Sequence, residues 1–261
     1  MLLTDGAAID VREPVGDDEL FLLETRLTPA AAVVALAGRV ATIAGRPPDW
    51  DQVAAAQLGA VALAIRRAWI GDRIISEGRC PEPGCTERVD VSFSSVTYLA
   101  HHRPRRPRNV SAGDDGWYRL AGSTVRFRIP NVTDLLAAGE NTEPAAVLAS
   151  RCLEPASLPT RTARAVDRAL AAMAPSLEGL VGGHCPECGA EVALRFDPLT
   201  YTMLELRDAF AGIYRETHAL ASAYGWPEET ILRQPRSRRQ RYAAMVFEDH
   251  SYGASRPGVA R

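Results

Sequence analysis

At 261 residues and 46% hydrophobic content the chain can bury a core of its own, as one large domain or two modest ones. No run reaches the roughly 18 uninterrupted apolar residues of a membrane span, because Gly38 and Arg39 interrupt the alanine-rich stretch 30–44. The formal net charge of -2 argues against a general polyanion binder, and the first ten residues lack the basic start and apolar centre of an export signal, so a cytoplasmic protein is expected.

That small net charge is unevenly distributed. Residues 1–30 carry Asp5, Asp10, Glu13, Asp17, Asp18, Glu19 and Glu24 against Arg12 and Arg26; residues 231–261 reverse the balance with Arg233, Arg236, Arg238, Arg239, Arg241, Arg256 and Arg261 against Glu248 and Asp249. Arginine forks suit carboxylates and phosphates equally, so the asymmetry points to macromolecular contacts without naming them. Every basic residue is arginine and alanine is abundant, a pattern of genomic GC content that carries little functional weight.

A strand over 9–12 precedes a helix from Gly16, whose acidic first turn suits the helix dipole and whose Leu20, Leu22 and Leu23 face inward. Thr28 followed by Pro29 is an N-cap with proline at the first helical position, opening a helix to about residue 43. A third helix over 51–69 sets Ala54, Leu58, Val61, Ala62 and Ile65 on one face and ends in Arg66 and Arg67. From Arg73 the period changes to strand-like alternation on both sides of Cys80 and Cys85, which predicts a hairpin with cysteines at its tip. A helical turn or two over 94–101, an exposed basic loop over 101–108, a second hairpin over 117–129 and helices near 133–138, 144–153 and 162–173 follow.

The second cysteine hairpin spans 180–196. Behind Asp197 and Pro198 one long helix should run to Tyr224 and stop at Gly225; Pro227 restarts a short one, and a basic helix over 237–247 precedes a tail, 249–261, expected to be disordered. The expected organisation is an N-terminal helical segment (1–70), a hairpin unit with a helical insertion (71–200) and a C-terminal helical segment (201–248). The fold class is α+β, with two zinc-linked hairpins surrounded by helices.

Aligning the two cysteine turns exposes a repeat. Gly78-Arg79-Cys80-Pro81-Glu82-Pro83-Gly84-Cys85 matches Gly183-His184-Cys185-Pro186-Glu187-Cys188-Gly189, and counting from the last cysteine, valine follows at plus four (Val89, Val192), phenylalanine at plus eight (Phe93, Phe196) and threonine-tyrosine at plus twelve and thirteen (Thr97-Tyr98, Thr200-Tyr201). Structural zinc takes four ligands in a tetrahedron and one tight turn supplies two thiolates, so the two turns should meet at one ion held by Cys80, Cys85, Cys185 and Cys188. Glycines 84 and 189 let the backbone curl so that amides point at sulfur. Two disulfides, a redox pair or simple buried thiols are the competing readings; a cytoplasmic location disfavours the first, and the absence of flanking thioredoxin-like elements the second. Cys152 reads as a core thiol, and His101, His102 and His184 as loop or surface residues beside an already full ligand shell.

Four thiolates leave no open position for water, so the expected zinc is architectural. Arg215-Glu216-Thr217-His218 lacks the two-histidine spacing of zinc proteases, and neither a phosphate loop, a dinucleotide turn nor a nucleophile elbow is present. No enzymatic activity is expected.

The knuckle Cys185-Pro186-Glu187-Cys188-Gly189, the helix behind it, the run from His218 through Tyr224-Gly225-Trp226-Pro227-Glu228-Glu229 to Leu232, and Arg238-Arg239-Gln240-Arg241-Tyr242 resemble the baseplate hub assembly chaperone family, encoded with contractile phage tails and phage-tail-like contractile injection systems. The first knuckle and Arg126-Phe127-Arg128-Ile129-Pro130 resemble the injection-system branch. The resemblance covers most of 70–245. It implies a non-enzymatic protein that helps assemble the baseplate, with baseplate, hub, spike or tube proteins as partners and no membrane. Trp226, Arg236, Arg238, Arg239, Arg241 and Tyr242 form the expected partner-binding set; a packed helical corner with a solvated arginine face is the plainer reading of the same residues. The alternative function is a zinc-ribbon nucleic-acid-binding protein, motivated by the arginine clusters at 103–108 and 233–241. Against it stand the slightly acidic net charge and strands without exposed aromatic platforms.

Overall fold

The N-terminal segment is fixed by a strand pair. In the computed structural model, which describes residues 2–254, β1 (Ile9–Val11) pairs antiparallel with β2 (Ala41–Ile43), Ile9 opposite Ile43. The helix expected to run to residue 43 therefore ends earlier. α2 (Pro29–Val40), capped by the Thr28 hydroxyl on the Ala31 amide, gives way to β-branched Thr42 and Ile43, which find a strand partner in β1.

α1 (Gly16–Glu24) begins where expected and buries Leu22, with Leu20 and Leu23 half-buried. Its first turn does more than complement a dipole. Asp18 and Glu19 are fully buried, and Asp18 accepts both Arg12 terminal nitrogens, at 2.7 and 3.1 Å, and the Val15 amide at 3.0 Å.

The third helix starts later than predicted, as α3 (Leu58–Ile70) behind a short 3-10 turn (Ala55–Gln57). Residues 51–57 hydrogen-bond elsewhere: the Ala55 amide donates to the Pro130 carbonyl and Val53 accepts from the Val132 amide. From Leu58 to Arg66 every residue of α3 is buried. Arg66 pairs with Glu205 and donates to the carbonyls of Gly71 and Arg73 at 2.5 and 2.6 Å, which fixes the chain entering the first cysteine hairpin.

That hairpin is β3 (Arg73–Arg79) with β4 (Arg88–Ser94), followed by α4 (Ser95–His101), whose N-cap is the Ser94 hydroxyl on the Thr97 amide. The insertion comprises β5 (Val110–Ala112), β6 (Tyr118–Leu120), β7 (Arg126–Phe127), α5 (Val132–Gly139), α6 (Pro144–Cys152), β8 (Leu153–Glu154) and α7 (Thr160–Met173). The predicted hairpin is the middle of a four-stranded antiparallel sheet in the order β5-β6-β7-β8; the outer strands are too short to show a period of two. Val110, Leu120 and Phe127 pack against Val166, Ala169 and Met173 of α7. In the first turn of α5, burial of Asp134 is outweighed by the Arg128 and Arg151 guanidiniums and the Asn131 amide, which hold its carboxyl well below the usual range. Cys152 is the expected core thiol, pushed up to about 11 by burial and the Asp134 charge.

The second cysteine hairpin, β9 (Gly179–His184) with β10 (Glu191–Phe196), leads through the Asp197 cap into α8 (Pro198–Phe210). The long helix expected over 198–224 is two, because α9 (Ile213–Tyr224) restarts after Ala211-Gly212. Met203, Leu206 and Phe210 of α8 join the core of α1, α2 and α3, whereas Leu220 of α9 joins Ile231 of α10 (Glu228–Leu232) and Ala243 and Val246 of α11 (Arg236–Ala254). Gly212 is where the chain passes from one core to the other. The N-terminal helices and α8 thus share one core across the division drawn at 70 and 200. α11 continues to Ala254, so the tail expected to be disordered from residue 249 begins as helix, and 255–261 lie outside the described residues.

The result is the expected α+β architecture with two cysteine hairpins at its centre, and among the described residues no helix is long and apolar enough to cross a membrane. Gly16 and Gly38 test the packing in opposite directions. A Cβ on Gly16 would lie 2.8 Å from the Leu232 Cα, while one on exposed, helical Gly38 meets nothing within 4 Å. Urea unfolding should find Gly16→Ala destabilised by about 1–3 kcal/mol and Gly38→Ala stabilised by about 0.4–1 kcal/mol.

Candidate metal centre

Each cysteine turn is closed by its own backbone. In the first, the Cys80 amide donates to Glu87 and the Cys85 amide to Glu82, both at 3.0 Å, and Gly84 takes a positive φ of 89°. In the second, the Cys185 amide donates to Ala190 at 2.9 Å, the Gly189 amide donates to the Cys185 carbonyl at 3.0 Å, and Gly189 has φ of 75°. Left-handed backbone at these points explains the glycines.

The two hairpins pack so that β3 lies against β10 and β4 against β9, the arrangement a pseudo-two-fold axis between repeats produces. The repeated residues meet across it. Phe93 and Phe196 make an edge contact with centroids 5.2 Å apart, and each also packs on the tyrosine of its own repeat, Phe93 on Tyr98 and Phe196 on Tyr201, at 5.3 Å. The Tyr201 hydroxyl bonds the Ile75 backbone of the first hairpin and the Tyr98 hydroxyl donates to the Leu177 carbonyl just before the second. Two further repeat positions have a reason that the sequence alone did not reveal. A Cβ on Gly78 would collide with Leu194, and one on Gly183 would lie 2.9 Å from the Val91 Cγ2, so the glycine two before the first cysteine of each hairpin admits the side chain six after the last cysteine of the other. The shared Gly-x-Cys opening was the available signal.

Cys80, Cys85, Cys185 and Cys188 converge, their sulfurs all within 4.8 Å of one another. Two close separations run between hairpins, Cys80 to Cys188 at 3.5 Å and Cys85 to Cys185 at 3.8 Å. Metal–sulfur bonds of about 2.3 Å in a tetrahedron put sulfurs roughly 3.8 Å apart, so the donor set fits one four-coordinate ion. None of the five cysteines is in a disulfide. The thiols differ in how readily they ionise. The Cys188 and Glu187 amides lower the Cys185 thiol to about 7, but although the Glu82 amide favours thiolate at Cys80, burial and the three neighbouring thiols push it up to about 12. Four thiolates this close would repel one another, so a bound cation would favour their ionisation and its binding would release protons. His101 and His102 lie outside the shell, their Nδ1 atoms on the Thr97 and Tyr98 carbonyls.

The expected partner-binding set divides. Arg238 and Arg241 are exposed, while Trp226 and Tyr242 are half-buried, with Trp226 stacked on Tyr224 at 5.0 Å and edge-on to Tyr242 at 5.2 Å. Arg239 corrects the expectation: it is fully buried, with Nη2 on both Glu19 oxygens at 2.7 and 2.6 Å and Nε on Glu216 at 2.9 Å. Arg236 also turns inward, to Glu19 at 3.3 Å and the Ala209 carbonyl at 3.0 Å. A buried Glu19 takes these cations from any docking face. The Arg236 and Ser237 amides donate to Pro14 and to the Glu13 carboxylate, completing a clasp between α11 and the segment before α1.

Compared with family models, with curated proteins and with solved structures, the chain matches none.

Removing one sulfur tests the centre: Cys185→Ser should lose stoichiometric metal by elemental mass spectrometry and melt at lower temperature, whereas Cys152→Ser keeps its metal. The clasp has its own test. Arg239→Ala leaves buried Glu19 with only the longer contact to Arg236 and should cost about 3–5 kcal/mol in urea unfolding, against no more than about 0.5 kcal/mol for Arg238→Ala.

Proposed function

We propose that this chain is a non-enzymatic assembly or structural factor of a phage-tail-like contractile injection system, stabilised by one structural zinc. The observation that carries the reading is the C-terminal corner. The residues that resemble the baseplate hub assembly chaperones, Tyr224-Gly225-Trp226-Pro227 and Arg238-Arg239-Gln240-Arg241-Tyr242, form one unit, with Gly225 in the left-handed conformation that ends α9 and Trp226 between Tyr224 and Tyr242. The four-thiol centre supports the non-enzymatic part, since a closed shell has no site for an activated water. An all-sulfur tetrahedron suits zinc and a single iron alike; the absence of any redox partner motif favours zinc.

The zinc-ribbon nucleic-acid reading has less support. The repeated aromatic residues, Phe93 and Phe196 of the hairpins and Tyr98 and Tyr201 of the helices behind them, pack on one another between the repeats and do not form a platform for bases.

Tagged protein recovered from its own host at moderate salt should carry baseplate, hub, spike or tube subunits, identified by mass spectrometry, and about one zinc per chain by elemental analysis. Nucleic acid as the sole companion would overturn the assembly role, and a red, iron-loaded protein would overturn zinc.

A further inference from the structure

A groove of about 510 Å³ lies between the N-terminal loop, α3 and α4, and none of the four converging cysteines lines it. Its walls are apolar, from Leu2, Val96, Leu99 and Ala100, and Leu2 and Val96 remain 67% and 42% exposed. No aromatic side chain among the described residues lines it. Its rim carries Arg67 and Arg103. Arg67 pairs loosely with Asp72, Nε to Oδ1 at 3.7 Å, and the Asp72 oxygens also accept the Ser94 and Ser95 hydroxyls at 2.6 Å. Arg103 has no ion-pair partner among the described residues. Asp5, also on the rim, accepts the Ala7 amide at 2.9 Å and is turned to its own loop.

The cationic rim continues beyond the groove. Arg103-Pro104-Arg105-Arg106-Pro107-Arg108 leaves α4 without regular structure, its prolines preventing helix, and its four arginines are exposed with no acidic partner among the described residues. The Arg105 amide is tied to the Ala172 carbonyl at 2.7 Å, so the end of α7 anchors the segment. An apolar slot therefore opens onto an anchored row of unpaired guanidiniums.

We propose that this surface binds a short peptide segment of a partner protein in which an apolar anchor is followed by a run of carboxylates, the anchor filling the groove and the acids lying along residues 103–108. Charge complementarity selects the acidic run and the apolar walls select a side-chain anchor. A polynucleotide would satisfy the arginines but leave the groove empty and find no ring on which to stack. The site does not depend on the contractile-system reading.

The test uses the purified, metal-loaded full chain and a fluorescein-labelled synthetic peptide carrying a Leu-Phe anchor followed by four glutamates, read by fluorescence polarisation. Saturable binding is expected, weakened about tenfold each by Arg103→Glu and by Val96→Glu, both exposed positions, and lost when lysines replace the glutamates. Metal content and melting temperature of both variants should equal the parent's. No saturable binding, affinity unchanged in either variant, or equal binding of the lysine peptide overturns the proposal. So does a single-stranded oligonucleotide that binds in an Arg103-dependent way where the peptide does not. None of these results alters what co-purifies from the host, so the two readings fail separately.

Discussion

Four sulfurs within 4.8 Å of one another are the contact on which the two halves of the centre depend. A tight turn presents two thiolates at most, and two thiolates do not complete a tetrahedron, so neither hairpin holds a metal without the other. That requirement explains much of what surrounds it. The glycines at 78 and 183 exist to admit the opposite hairpin, the phenylalanines of the two repeats meet edge to face, and each tyrosine bonds backbone in the other half. Two-stranded hairpins have marginal stability alone, and here each supplies the other's missing face.

Around this unit the remaining cores are arranged by buried charge as much as by apolar packing. Arg66 ties α3 to the entrance of the first hairpin and to α8, Asp134 collects Arg128 and Arg151 in the first turn of α5, and Glu19 draws Arg236 and Arg239 from α11 onto α1. Such pairs contribute little net stability over a hydrophobic replacement, but losing one partner is costly, so they fix which elements sit together.

The convergence of Cys80, Cys85, Cys185 and Cys188 was legible in the sequence because each pair is local and the repeat doubles the signal, while coordination chemistry supplied the one long-range step. Helices whose caps are local were legible for the same reason, as at Thr28 and Asp197. The failures lie where distant partners decide. Residues 41–43 become strand because β1 is beside them, residues 51–57 leave the helix to bond the insertion, and α8 ends at Phe210 because the following helix belongs to another core. Arg239 was hidden inside a run that reads as solvated charge. Its spacing of four and seven from buried Ala243 and Val246 places it on the apolar stripe of α11, a period that could have exposed it.

Between Cys85 and Cys185 lie 99 residues, Thr86 to His184, including a sheet and a helix with a core of their own. During synthesis at roughly 5–20 residues per second, the first knuckle is complete about 5–20 s before the second leaves the ribosome. For that interval it is half a site, with two thiols and an uncovered valine and phenylalanine face. The insertion can fold while the first knuckle waits, and its folding shortens the span the second hairpin must cross. The late arrival of Cys185 and Cys188 means that a metal held by all four sulfurs would be captured only as a closing event in the assembly of this chain, which would tie its timing to the supply of metal.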